Sequence, residues 1–177
     1  SQQGFERATT RDIAQAAQVA EGTLFHHFPN KMALLRGIMM DYYHRLQAEA
    51  ERVCAIEQDA GLRLRALVVN HLRFANAEWQ IVRLFSHYGR SGDKDFANAF
   101  YQLNKRYTQL FVIVIEMLKD TLKIRRTTPT PLIRDTLFGS MEHFMIGYFD
   151  RDRDYDLDLF VDQLLDLILF GVGGHQA

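Results

Sequence analysis

Apolar residues recur at three- and four-residue spacing along almost the whole chain, interrupted by short polar or Pro/Gly breaks. That is the period of amphipathic helices, and it predicts an all-α fold. Residues 8–28, ATTRDIAQAAQVAEGTLFHHF, read as two short helices with a tight connection. Thr9 and Asp12 have the spacing of a capping box, with Asp in the Glu/Gln place, so the first helix starts near residue 10. Ile13, Ala14 and Ala17 give it an apolar face of small residues. Gln18-Val19-Ala20 reads as the turn, with Val19 as a buried plug between the helices. The second helix runs from about Glu21 to Phe28, with Leu24 and Phe28 inward at i, i+4.

Pro29 breaks the chain, and Asn30 is a good N-cap for a helix from Lys31 to about Cys54. Its apolar positions include Leu35, Met39, Tyr42, Leu46 and Val53. Such a helix spans roughly 35 Å, long enough to join two modules. After the turn at Asp59-Ala60-Gly61, helices are predicted at 62–77 and 79–88, then a polar loop at Gly89–Asp93 and a long helix at 94–120. Thr127–Pro131 is the next breaker, and Thr130 is expected as N-cap with Pro131 at the first helical position of a helix at 131–149. A charged loop, Asp150–Asp156, precedes the last helix at 157–170.

Composition adds little to this and removes some options. At 177 residues the chain accommodates one small module and one larger one. The formal net charge is −1, which argues mildly against a free-standing nucleic-acid-binding domain. Charge is uneven, however: Arg7, Arg11, Lys31 and Arg36 lie near the start, while acid is concentrated toward the C-terminus, in the run Asp150–Asp166. That polarity suits a protein with one end on phosphate. The single cysteine, Cys54, excludes an intramolecular disulfide and fits a reducing cytoplasm. No signal peptide or membrane span is visible, since the apolar stretch Leu164–Val172 is broken by Asp166 and too short.

Two short helices, small residues where they cross and polar groups on the second are what a helix-turn-helix requires. The segment TTRDIAQAAQVAEGTLFHHFPNKMALL closely resembles the DNA-binding signature of the TetR family of bacterial repressors, most specifically in GTLFHHFPNKMALL. The resemblance implies a DNA-binding domain at 1–36 and an effector-binding and dimerisation domain at 37–177. It also implies that Thr10, His27 and Lys31 hold phosphates, Lys31 at a helix N-terminus. Arg11, Glu21, Gly22, Thr23, Phe25 and His26 would face the major groove, with Arg11 suited to a bidentate contact to guanine. The chain departs from the family where Phe25 replaces Tyr and where Gln18 and Ala20 replace the Gly and Ser/Thr of the turn. The family's DNA-binding domain has three helices; Ser1–Phe5 resembles the tail of the first, with Gly4-Phe5 as its exit, so its upstream part is expected to be missing.

The last two predicted helices read as a dimer interface. Leu137, Met141, Phe144 and Tyr148 form a stripe on one; Phe160, Leu164 and Ile168 form a face on the other, with Leu165 on an adjoining face. A helix apolar over more than half its circumference must be covered on two sides, by a core and by a partner. The resemblance implies a homodimer built as a four-helix bundle, whose paired motifs read palindromic double-stranded operator DNA. Residues 62–148 are rich in aromatics and Met. Trp79, Phe100, Tyr107, Phe111, Phe138 and Met141 are candidates to line an apolar tunnel, with Arg83, His87, Asn104 and His143 to orient a head group. The stretches YQLNKRYTQLFVIVIEML and LIRDTLFGSMEHFMIGY look like a TetR subgroup that regulates fatty-acid metabolism, which implies a small apolar effector such as a long-chain acyl-CoA or fatty acid.

No catalytic set, Gly-rich phosphate loop or metal motif stands out, so neither an enzyme nor a cofactor is expected. His26 and His27 fall on different parts of a helix surface, which argues against a shared metal. The alternating aspartates Asp150 to Asp158 lack the glycine and terminal Glu of an EF-hand and read as a solvated loop. The reading is a repressor whose effector tilts the helix 31–54 and shifts the recognition helices off the operator. Rivals are a helical carrier whose helix-turn-helix has lost function, an activator, and a regulator controlled by a protein partner.

Overall fold

The computed structural model describes residues 4–90, 93–121, 127–149 and 155–171, and among these every regular element is helical. The elements are α1 (Gly4–Arg7), α2 (Thr10–Ala16), α3 (Glu21–His27), α4 (Lys31–Ile56), α5 (Ala60–Ala77), α6 (Trp79–Gly89), α7 (Lys94–Asp120), α8 (Thr130–Tyr148) and α9 (Leu157–Phe170). The chain divides into two compact units, Ser1–His44 with Gln80–Leu103 and Arg45–Trp79 with Asn104–Ala177. Among the described residues, no helix is long and apolar enough to cross a membrane.

In the first unit, local chemistry sets the helix starts. The Thr9 hydroxyl accepts from the Asp12 amide at 3.1 Å while the Asp12 carboxylate accepts from the Thr9 amide at 2.8 Å. The two orphan donors are thus satisfied reciprocally, as the spacing predicts. Hydrogen bonds from the Thr9 side chain, then its amide, hold the Asp12 carboxyl below its usual range. Asn30 caps α4 by accepting from the Ala33 amide at 2.8 Å. Beneath these helices, Leu35, Met39, Tyr42, Phe85 and Phe96 are buried, with the Tyr42 and Phe85 rings edge to face at 5.6 Å.

The turn between α2 and α3 departs from expectation. Val19 is 43% exposed and is not a plug. Ala14, buried and without bulk, lets the two helices meet directly, and the turn is closed by backbone, from the Val19 amide to the Ala14 carbonyl at 3.0 Å. α1 also continues through Arg7, so Gly4-Phe5 is not its exit.

In the second unit, α5 packs on α8 and α9, and α8 packs on α9. Leu64, Leu67, Leu72, Phe111, Ile115, Leu118 and Val161 form a buried core. Arg65 of α5 grips α9 through Asp162 at 2.6 Å and Asp158 at 2.8 Å. Asp156 caps α9, accepting from the Leu159 amide at 2.9 Å. Asp156 and Asp158 are therefore structural, while Asp150, Asp152 and Asp154 lie outside the described residues. Thr130 does not cap α8: Pro129 occupies the cap position without a side-chain bond. The Thr130 hydroxyl instead donates to Glu116 and accepts from the buried Lys119 ammonium, both on α7. A buried ammonium needs oxygen partners, and that demand outweighs a local cap.

Candidate nucleic-acid interface

The small-residue crossing of α2 on α3 fixes which side of α3 faces outward. Leu24 and Phe28 are half-buried, whereas Gly22, Thr23, Phe25, His26 and His27 are exposed, as is Arg11 on α2. Phe25 is 43% exposed, an aromatic ring offered to solvent on a polar surface. The His26 and His27 rings meet edge to face at 5.2 Å, closer than their expected placement on different parts of the helix. α3 carries no side-chain cap at Ala20, and the turn before it holds Gln18 at φ +57°. Both follow from the residues that stand in place of the usual turn chemistry.

Three of the sequence-assigned residues have partners within the chain. The Thr10 hydroxyl donates to the Glu21 carboxylate at 3.3 Å, linking α2 to the first turn of α3. The Lys31 ammonium donates to the carbonyls of Phe5 at 2.8 Å and Ala8 at 3.2 Å, and lies 4.7 Å over the Phe5 ring. Lys31 is thus a clamp on α1, a role visible only when the carbonyls it meets are in place. Phe28, at the C-cap of α3, approaches Gly37 so closely that a Cβ there would lie 2.7 Å from the ring.

The residues assigned to an effector site are only partly brought together. Arg83, His87 and Phe100 belong to the first unit, and Arg83 and His87 are exposed. The others belong to the second unit, where Trp79 is buried beside Phe149 at 5.5 Å, Asn104 is half-buried and His143 is exposed. Tyr107, Phe111 and Phe138 do form one cluster, with Phe111 and Phe138 ring centroids 4.8 Å apart, and Met141 is fully buried in the same unit. A residue absent from the sequence assignment, His71, stacks on Tyr107 at 5.7 Å. Its signal was its spacing, since it continues the α5 stripe Leu64, Leu67 and Val68. A cleft of about 510 Å³ elsewhere in this unit is lined by Glu49, Arg52, Val53, Arg65, Asn70 and Phe74 among others, none of them assigned from the sequence.

The stripes assigned to the dimer interface are largely interior. Leu137, Met141, Phe144, Leu164 and Leu165 are buried by the chain itself, with Tyr148, Phe160 and Ile168 half-buried. Phe144 stacks on Phe160 at 3.8 Å and on Tyr148 at 4.5 Å, so these rings tie α8 to α9. The outward faces carry other apolar residues: Leu132 and Ile146 on α8, and Leu159, Leu167 and Phe170 on α9. Gly139 opens onto free space between Leu132 and Ile146 in the sequence of α8.

Residues 1–38 match the family described as bacterial regulatory proteins, tetR family. The nucleoid occlusion factor SlmA of Photobacterium profundum is 27% identical over 126 residues, 71% of this chain and 61% of that protein. The chain thus spans about three fifths of the length of the first curated relatives it matches. The transcriptional regulator FadR of Bacillus subtilis, solved in complex with stearoyl-CoA, has the same fold, with a TM-score of 0.80 at 19% identity over 96% of this chain and 91% of that one. PfmR of Thermus thermophilus, a TetR family transcriptional regulator, does likewise, at 0.79 and 20% identity over 95% and 91%.

Proposed function

Residues 1–38 are a TetR-family regulatory domain, and from that premise we propose that the chain is a repressor that binds a palindromic operator as a homodimer. The carrying observation is the outward face of α3, where Gly22, Thr23, Phe25, His26 and His27 stand clear while Leu24 and Phe28 turn inward, with Arg11 exposed on α2. Arg11 reads guanine, the Phe25 ring contacts a thymine methyl or sugar, and His27 meets phosphate. Glu21 and Thr10, bonded to each other, set the angle of α3.

The dimer forms through the outward apolar faces of α8 and α9, centred on Ile146 and Leu167, with Gly139 permitting close approach. Pairing two motifs answers the weak net charge, because each half-site contact is needed only in duplicate. The effector is a small apolar molecule held in the second unit, and its binding shifts the dimer to a state that no longer fits the operator. The stearoyl-CoA bound by the FadR structure of the same fold supports an acyl chain as that effector.

Selection from random duplex DNA tests the DNA reading. A recovered palindrome, lost on Arg11→Ala, is the expected result; no enrichment even at low salt, where phosphate contacts are strongest, refutes it and favours a helical carrier. The similarity to nucleoid occlusion factors favours one second reading, a DNA-bound dimer acting at the nucleoid instead of at promoters. Sites scattered across the chromosome, instead of upstream of a few genes, would choose that reading.

A further inference from the structure

Two aromatic rings flank one imidazole in the second unit. His71 on α5 stacks on Tyr107 at 5.7 Å with the planes 22° apart, and meets Phe138 edge-on at 5.4 Å. Phe111 packs against both of these rings, 5.5 Å from Tyr107 and 4.8 Å from Phe138. The Nδ1 atom of His71 is buried and has no hydrogen-bond partner among the described residues. Burial pushes the pKa of the imidazole down to about 4, so the ring is neutral near pH 7.

A phenylalanine would fill this position without an unsatisfied nitrogen, so the histidine costs stability that the fold does not recover. His71 and Phe138 are each only half-buried, so the cluster reaches the surface of the unit at one edge. A neutral imidazole carries one donor and one acceptor nitrogen, and its proton moves to suit the partner. It can therefore bond a carbonyl or a hydroxyl, while the surrounding rings take an apolar skeleton and disfavour a full charge.

Resting on the reading of the second unit as the effector domain, we infer that His71 is the residue that selects the effector: Nδ1 bonds a single uncharged oxygen, hydroxyl or carbonyl, on an apolar body. A thioester carbonyl on an acyl chain meets this description; an ionised carboxylate does not.

The test uses the full chain with ¹⁵N-labelled histidine, titrated with 1-decanol, decanoyl-CoA and, as a tail whose head stays charged, decyl sulfate. Decanol and decanoyl-CoA are expected to move the His71 Nδ1 resonance, and decyl sulfate to leave it in place. By calorimetry, His71→Phe should bind decanol and decanoyl-CoA about tenfold more weakly, the loss of one hydrogen bond, while melting no lower than the parent. His71→Gln, which keeps a hydrogen-bonding group, should retain most of the affinity. Equal affinity in His71→Phe, an unmoved Nδ1 signal at saturation, or no binding of either decanol or decanoyl-CoA overturns the inference. Binding as described without release of operator DNA would leave it standing and refute the repressor reading instead.

Discussion

The ammonium of Lys31 lies 2.8 Å from the Phe5 carbonyl and 4.7 Å above the centre of the Phe5 ring, so one side chain holds both the backbone and the side chain of the same residue. With the Ala8 carbonyl at 3.2 Å, the cation sits where the last carbonyls of α1 lack helical partners. A helix of four residues has no stability of its own and depends on such a tie. Lys31→Met should therefore lower stability by about 1–2 kcal/mol, read as a drop in melting temperature. It should also weaken binding to specific and random DNA alike. An unchanged melt with a salt dependence reduced by about one counterion would assign Lys31 to phosphate instead.

Gln18 occupies the left-handed region at φ +57°, a conformation that costs a side-chain-bearing residue about 1 kcal/mol. Gln18→Gly relieves that strain at the turn between α2 and α3, partly offset by the greater freedom of glycine in the unfolded chain. The expected net gain is roughly 0.5 kcal/mol, visible as a small rise in the denaturation midpoint with an unchanged slope.

The imidazole of His71, whose Nδ1 is buried, makes stability depend on pH in a definite direction. Its folded pKa is depressed to about 4 from the ordinary 6.5, so the unfolded chain takes up this proton first as pH falls. Stability is complete above pH 6.5 and declines between 6.5 and 4, by at most about 3 kcal/mol from this group. Urea unfolding across that window should show the decline in the parent and a flatter profile in His71→Phe.

Arg11 is exposed on α2. Arg11→Ala should weaken binding to the selected operator by about 1–3 kcal/mol and relax the preference at one base pair, with little effect on random DNA. Competition binding against operators permuted at each position checks this. A uniform loss across all sequences would make Arg11 a phosphate contact.

Ile146 and Leu167 are each 49% exposed on the outward faces of α8 and α9. Ile146→Asp with Leu167→Asp should turn a dimer into a monomer without lowering helicity, since neither residue belongs to the core. Sedimentation velocity reads the outcome, and operator affinity should fall with it. A double variant that remains dimeric moves the interface elsewhere.

Much of this molecule is determined by short-range rules that the sequence alone carries. Helix starts at Thr10, Lys31 and Leu157 follow from Thr9, Asn30 and Asp156 acting within three residues of themselves. The helix-turn-helix was legible for the same reason, with a small Ala14 at the crossing and Leu24 and Phe28 one turn apart. What the sequence could not decide is which side of an apolar helix meets its own chain. The stripe Leu137, Met141 and Phe144 and the face around Leu164 have the right period for either a core or a partner, and only the packing of α5 on α8 and α9 makes them core. The same holds for single polar groups. Lys31 found backbone carbonyls, Thr130 was drawn to Glu116 and Lys119, and His71 was placed between two rings. A charge or a ring nitrogen takes its role from whatever lies within about 3 Å of it. For each of these groups the neighbours come from distant parts of the chain, so tertiary structure decides.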